Sequence, residues 1–235
     1  MKKVIAFLLI FIGIGVMVYP KATDYYSAQK QNNLIEEWEN QDLSSDSRPK
    51  NAESSNHDTA KNSYINLDSI FNPSAGTAEA AETTSIEESQ QEATEEVEAS
   101  ENKPLSESML GIITIDKIDV KLPVLNSASQ YNLDYGAGHL TGTVMPGQKG
   151  NSAIAAHRSR KYGKLFNRLN EISEGDTITV KTRDGSYTYT VTDTKIVKPD
   201  DLSVLHNTSE EILTLITCDT PENPVNRLIV RAELR

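Results

Sequence analysis

The chain has 235 residues, 37% of them hydrophobic, and a formal net charge of −11, which suits one domain of ordinary size or two small ones. The charge is uneven: residues 1–107 carry 8 Lys+Arg against 19 Asp+Glu, and residues 108–235 carry 15 of each. This acidity excludes a nucleic-acid partner, because tracking phosphates needs a basic face, and the lone cysteine, Cys218, excludes an internal disulfide.

Met1-Lys2-Lys3 opens onto an uncharged, mostly apolar run from Val4 to Tyr19. As a helix these residues span about 24 Å, short of the ~30 Å hydrocarbon core, and Lys2, Lys3 and Lys21 can snorkel to cover the difference. No A-x-A pattern follows the run, so residues 1–20 read as a retained transmembrane anchor rather than a cleaved leader. The basic flank places the N-terminus in the cytoplasm. The expected location is therefore the cell membrane, single-pass, with the chain after residue 20 outside.

Residues 24–40 carry Tyr26, Leu34, Ile35 and Trp38 at roughly helical spacing. They read either as a juxtamembrane helix near the headgroups or as a weakly supported helix. From 41 to 103 the chain is rich in Ser, Asn, Glu and Ala, and residues 77–102 hold nine Glu and no basic residue. Such a stretch buries too little apolar surface to offset its chain entropy. It is expected to be a disordered acidic spacer, which makes 21–107 a stalk. The apolar island Tyr64–Phe71 inside it is a candidate for docking onto the folded part.

From residue 108 the pattern turns to β. Strands are expected at 111–115, 120–124 (with Pro123 at an edge or bend), 152–156, 177–182, 187–191, 212–217 and 228–234. Arg183-Asp184-Gly185-Ser186 reads as a hairpin turn. Lys164–Ile172 shows helical spacing at Leu165, Phe166, Leu169 and Ile172. Short strands with turn signals and one or two short helices predict a mostly β domain, a closed barrel or a sandwich.

Three residues stand at strand ends: His157 after SAIAA, Cys218 after ILTLIT, and Arg227 before LIVRAEL. A cysteine nucleophile needs a base at hand, a histidine can supply it and later protonate a leaving amine, and a fixed Arg can stabilise an oxyanion. The loop 219–226 reads as a turn that brings Arg227 back to Cys218. Spacing alone leaves open a buried structural Cys218, a surface His157 and a solvated Arg227.

Thr214-Leu215-Ile216-Thr217-Cys218 followed by Arg227 resembles the TLxTC…R signature of sortases. Gly138-His139, Met145-Pro146-Gly147, Gly150-Asn151 and Ile154-Ala155-Ala156-His157-Arg158 resemble the segment that carries the family's catalytic histidine, and Glu174-Gly175-Asp176 and Ile196–Asp201 match further family turns. Within the family the pattern looks most like class D. An Asp-Pro-aromatic lid motif is not evident between 60 and 107, and Ala156 stands where many relatives have Gly. The resemblance implies a closed eight-stranded β-barrel at 108–235 and a cysteine transpeptidase, with His157, Cys218 and Arg227 catalytic, Thr217 a substrate contact, and no metal or cofactor. It further implies cleavage of an LPxTG-like sorting signal between Thr and Gly through a thioacyl enzyme. Transfer would then go to a peptidoglycan-precursor (lipid II) amine, anchoring proteins to a Gram-positive cell wall. His139 is read as structural, His57 and His206 as incidental. The competing readings are a hydrolase of the same chemistry and a non-catalytic wall-facing β-barrel binding module with a structural Cys218.

Overall fold

The computed structural model describes residues 2–41, 55–72, 104–222 and 224–235; the side chains of residues 1–18 and of Pro20 lie outside the described set. Eight strands close into a barrel in the order β1-β2-β3-β4-β7-β8-β6-β5. They are β1 (Met109–Ile115), β2 (Val120–Asn126), β3 (Ala137–His139), β4 (Gly150–Ala155), β5 (Thr177–Thr182), β6 (Ser186–Val197), β7 (Glu211–Cys218) and β8 (Arg227–Leu234). Closure removes the unpaired edges that an open sheet of this size would expose.

The expected strands are present, with three differences. The short β3 adds a parallel partner to β2 at Val124–Asn126, so Pro123 lies just before that pairing begins and its missing N–H costs β3 nothing. β6 runs for 12 residues because β8 pairs along its far half, past a register shift between Val191 and Asp193. The helix expected at Lys164–Ile172 is not formed: only Leu169–Glu171 make a 3₁₀ turn. Leu165 has φ 50°, which an α-helix does not accept. Phe166, Leu169 and Ile172 nonetheless all enter the core.

Side-chain alternation sorts β4, β7 and β8 into two faces. Ile154, Leu213, Leu215, Val230 and Ala232 fill the barrel interior. Ala153, Ala155, Ile216 and Ile229 point outward, into a second apolar cluster. That outer cluster is completed by a helix the sequence reading did not foresee. Residues 57–71, inside the expected spacer, form α2 (His57–Phe71), capped by the Asn56 side chain on the Asp58 and Thr59 amides. Its buried residues Ala60, Tyr64, Leu67 and Phe71 repeat at helical spacing, so the disordered reading fails over this segment and the docking of the Tyr64–Phe71 island is realised. The rest of the expected spacer lies outside the described residues.

The approach of α2 is close. A Cβ on Gly142, whose φ is +88°, would stand 2.4 Å from the Ala60 nitrogen. Ser63 donates to the Thr141 carbonyl at 3.1 Å, and the Asn56 amide to the Gly142 carbonyl at 2.9 Å.

α1 (Lys2–Asn40) is continuous. Leu34, Ile35 and Trp38 pack outside the barrel against Leu105, Met109, Ile112 and Leu125, so the helical spacing at 24–40 serves docking onto the barrel, while Tyr26 stays exposed. Trp38 also lies under the Arg183 guanidinium at 4.1 Å. Among the described residues no helix is long and apolar enough to cross a membrane; the anchor expected at 1–20 rests on side chains outside the described set. α3 (Gln130–Tyr135) links β2 to β3.

Candidate active site

Cys218 is the last residue of β7 and Arg227 the first of β8, and the two are direct cross-strand partners. Such partners share a face with Cβ atoms about 4.5–5.5 Å apart. The turn between them is held by Asp219, whose carboxylate accepts from the Asn226 amide at 3.2 Å and from its side-chain nitrogen at 3.1 Å. This is the return expected from the polar loop.

β4 runs parallel to β7 with Ala155 opposite Ile216, and the Ala156 amide donates to the Ile216 carbonyl at 3.1 Å. His157 continues the outward phase of Ala153 and Ala155. Cys218 continues that of Ile216, and Arg227 that of Ile229. All three side chains therefore meet on one outer face of the barrel, beneath the C-terminal end of α2. The Arg158 main-chain amide faces the Cys218 sulfur, and the Arg158 guanidinium donates to the Asp219 carbonyl. These contacts tie the histidine strand to the cysteine loop.

Two residues that sequence reasoning did not place at the site stand against it. Asp68 pairs with Arg227 at 2.5 Å. The Phe71 ring lies 5.2 Å from the His157 ring and 5.1 Å from the Arg227 guanidinium carbon. Arg227 is 1% exposed, and a charge so buried needs a partner. The available signal was Ala60, Tyr64, Leu67 and Phe71 at i, i+4, i+7 and i+11, one helical stripe in a polar context.

Burial acts on the titration of both groups. Burial pushes the Cys218 thiol up to about 11, with the Arg227 charge pulling the other way. Burial also lowers His157, opposed by Asp134. Burial thus favours the neutral form of both groups.

The remaining expectations divide. Thr217 lies in the opposite phase, is fully buried, and donates its hydroxyl to the Ala156 carbonyl at 2.8 Å. It bridges β7 and the His157 strand. His139 is buried, its Nε2 placed 2.9 Å from the Val144 carbonyl and 3.0 Å from Thr143 Oγ1, as a structural histidine should be. His206 caps a 3₁₀ turn at Leu202–Leu205 and His57 begins α2; neither reaches the site.

A family model described as the sortase domain matches residues 113–235. The chain belongs to the sortase family. It is 34% identical over 128 residues to sortase A of Listeria monocytogenes, covering 54% of this chain and 57% of that protein. It is 33% identical over 119 residues to sortase D of Bacillus subtilis, covering 49% of this chain and 57% of that protein. The chain thus spans a little over half the length of these curated relatives. The solved complex of Streptococcus agalactiae sortase C1 with MTSET aligns at 26% identity and a TM-score of 0.53, over 75% of this chain and 89% of that one. These similarities run across sortases named A, C and D.

Proposed function

We propose that this sortase is a membrane-anchored cysteine transpeptidase, of class D type, that cleaves an LPxTG-like sorting signal between Thr and Gly and passes the protein to an amine of a peptidoglycan precursor. The observation that carries the reading is the meeting of His157, Cys218 and Arg227 on one face in a single β-phase. His157 takes the Cys218 thiol proton as the sulfur attacks the Thr carbonyl, the Thr–Gly C–N bond breaks, and His157 passes that proton to the departing glycine amine. A thioacyl bond to Cys218 remains. An acceptor amine then attacks that carbonyl, the C–S bond breaks, and the amine's proton passes to His157. Arg227 supports the oxyanion in both steps, a role in which one fixed donor is typically worth ~3–4 kcal/mol.

Substrate entry requires α2 to leave. While Asp68 holds Arg227 and Phe71 covers His157, no peptide carbonyl reaches the sulfur. Displacing α2 rehydrates the site, brings the thiol down from about 11 and frees Arg227 for the oxyanion.

The deciding experiment is intact mass of the full chain after incubation with an LPxTG-type peptide, beside Cys218→Ala. A peptide-acyl adduct in the parent alone is expected. An added amine nucleophile should divert that adduct to an amide conjugate; release only of free acid would make the enzyme a hydrolase. No adduct and no cleavage across sorting-signal variants would reduce the chain to a wall-facing binding module with a structural thiol.

A further inference from the structure

His157 begins a closed hairpin. The Phe166 amide donates to the His157 carbonyl at 3.1 Å, Arg158 and Leu165 form an antiparallel bridge, and the exposed tip holds Arg160, Lys161 and Tyr162. This hairpin is fastened to α1: Lys161 is paired with the Asp24 carboxylate, and Lys164 reaches the same carboxylate at 3.4 Å. Asp24 lies five residues beyond Tyr19, where the apolar run ends. At 1.5 Å per residue that is about 7–8 Å along α1. The headgroup layer on each side of a bilayer is roughly 5–8 Å deep. If residues 4–19 span the membrane, the tip of the hairpin stands at the depth of the lipid phosphates.

The chemistry of the surface matches that depth. Lys21, Arg160, Lys161 and Lys164 supply four cations against the two carboxylates of Asp24 and Asp134. Tyr19, Tyr25 and Tyr162 are each at least 71% exposed, the aromatic class enriched where membrane meets water. An open cleft of about 350 Å³ between hairpin and helix has the cations of Arg160, Lys161 and Lys164 and the carboxylates of Asp24 and Asp134 among its lining.

We propose that the Arg158–Leu165 hairpin and the Tyr19–Tyr26 turn of α1 form a lipid-headgroup contact surface that binds anionic phospholipids and seats the reaction centre against the bilayer. From the tip at Lys161 back to His157 is four residues, at most about 14 Å of extended chain. The catalytic histidine is thereby held within one short hairpin of the membrane, rather than at the end of a free tether. The proposal rests on the anchor reading of residues 1–20.

The test is hydrogen–deuterium exchange of the full chain in nanodiscs of phosphatidylcholine alone and of phosphatidylcholine with phosphatidylglycerol. Peptides covering 4–19 should be protected in both. Peptides covering 158–165 should exchange about fivefold more slowly in the anionic discs, as ~1 kcal/mol for one cation at an anionic surface implies. Salt or Arg160→Glu should remove that difference. Equal exchange of 158–165 in both discs, with 4–19 protected, would overturn the headgroup contact and leave the anchor standing. Exchange of 4–19 as in detergent-free solution would overturn the anchor and the proposal together. The same slowing produced in phosphatidylcholine discs by inorganic phosphate would assign the surface to a soluble anion and overturn the lipid.

Discussion

Asp68 of α2 and Arg227 of β8 lie 159 residues apart in sequence and 2.5 Å apart in space. Asp68 is 47% exposed while Arg227 is almost wholly buried. The pair therefore has one end that water can reach and one end that cannot survive alone. The opening proposed above would start at the wet end, where water can solvate Asp68 as α2 leaves Arg227. Asp68→Ala should loosen α2 rather than unfold the barrel. A charge-assisted hydrogen bond is worth roughly 1.5–3 kcal/mol, and solvent screening at the exposed end favours the lower figure. The expected result is about tenfold faster reaction of Cys218 with a methanethiosulfonate reagent. An unchanged rate would mean that α2 does not gate the thiol.

Burial of Cys218 has a pH signature. Burial raises its pKa from the ordinary 9.0 to about 11, so the folded state holds the proton more tightly. That contribution to stability is complete below pH ~9 and is lost as pH rises through about 11. Thiol alkylation of the parent should therefore keep rising to alkaline pH instead of levelling near 8.5. In the Asp68→Ala, Phe71→Ala double variant the midpoint should fall, because the burial that raises it is removed. A parent profile that saturates near 8.5 would contradict a closed α2 in solution.

His157 shifts the other way. Burial lowers its pKa from 6.5, so the unfolded chain binds its proton more readily, and the stability this gives is present above pH ~6.5 and lost as pH falls below it. Acidification should thus detach α2 from the imidazole. An NMR titration of the His157 ring should show a midpoint below 6.5 that returns toward it in Phe71→Ala; a midpoint unmoved by Phe71→Ala would remove that ring from the cause.

The barrel strands, and the placement of His157, Cys218 and Arg227 at their ends, were legible because they depend on local pattern. Alternation set strands 177–182 and 228–234 nearly to the residue, and three chemically distinct side chains stood at strand ends. What was hidden was long-range. β3 has three residues, too few to show a period, and exists only because β2 and β4 flank it. The helix expected at 164–172 failed because the backbone reverses at Leu165 to close the hairpin behind His157. α2 was masked by the low hydropathy of its surroundings: His57–Phe71 gains its stability from the groove between Leu140, Leu205 and Ile216, which no local window contains. The inward phase of Thr217 was hidden because a signature names residues without their phase.

That phase gives the sharpest test of a single residue. Thr217→Val keeps the shape, removes the hydroxyl, and leaves the buried Ala156 carbonyl without the 2.8 Å bond. The expected cost is about 1 kcal/mol of stability, up to ~3 if the carbonyl finds no other donor. As a strut, Thr217 acts through the alignment of the His157 strand with Cys218. Its loss should lower kcat severalfold, with KM for the sorting peptide unchanged and the His157 NMR signals shifted. As a substrate contact it would do the reverse, raising KM and leaving the imidazole undisturbed. Peptide-cleavage kinetics beside the His157 spectrum separate the two, and a raised KM with unmoved ring signals would return Thr217 to the substrate groove.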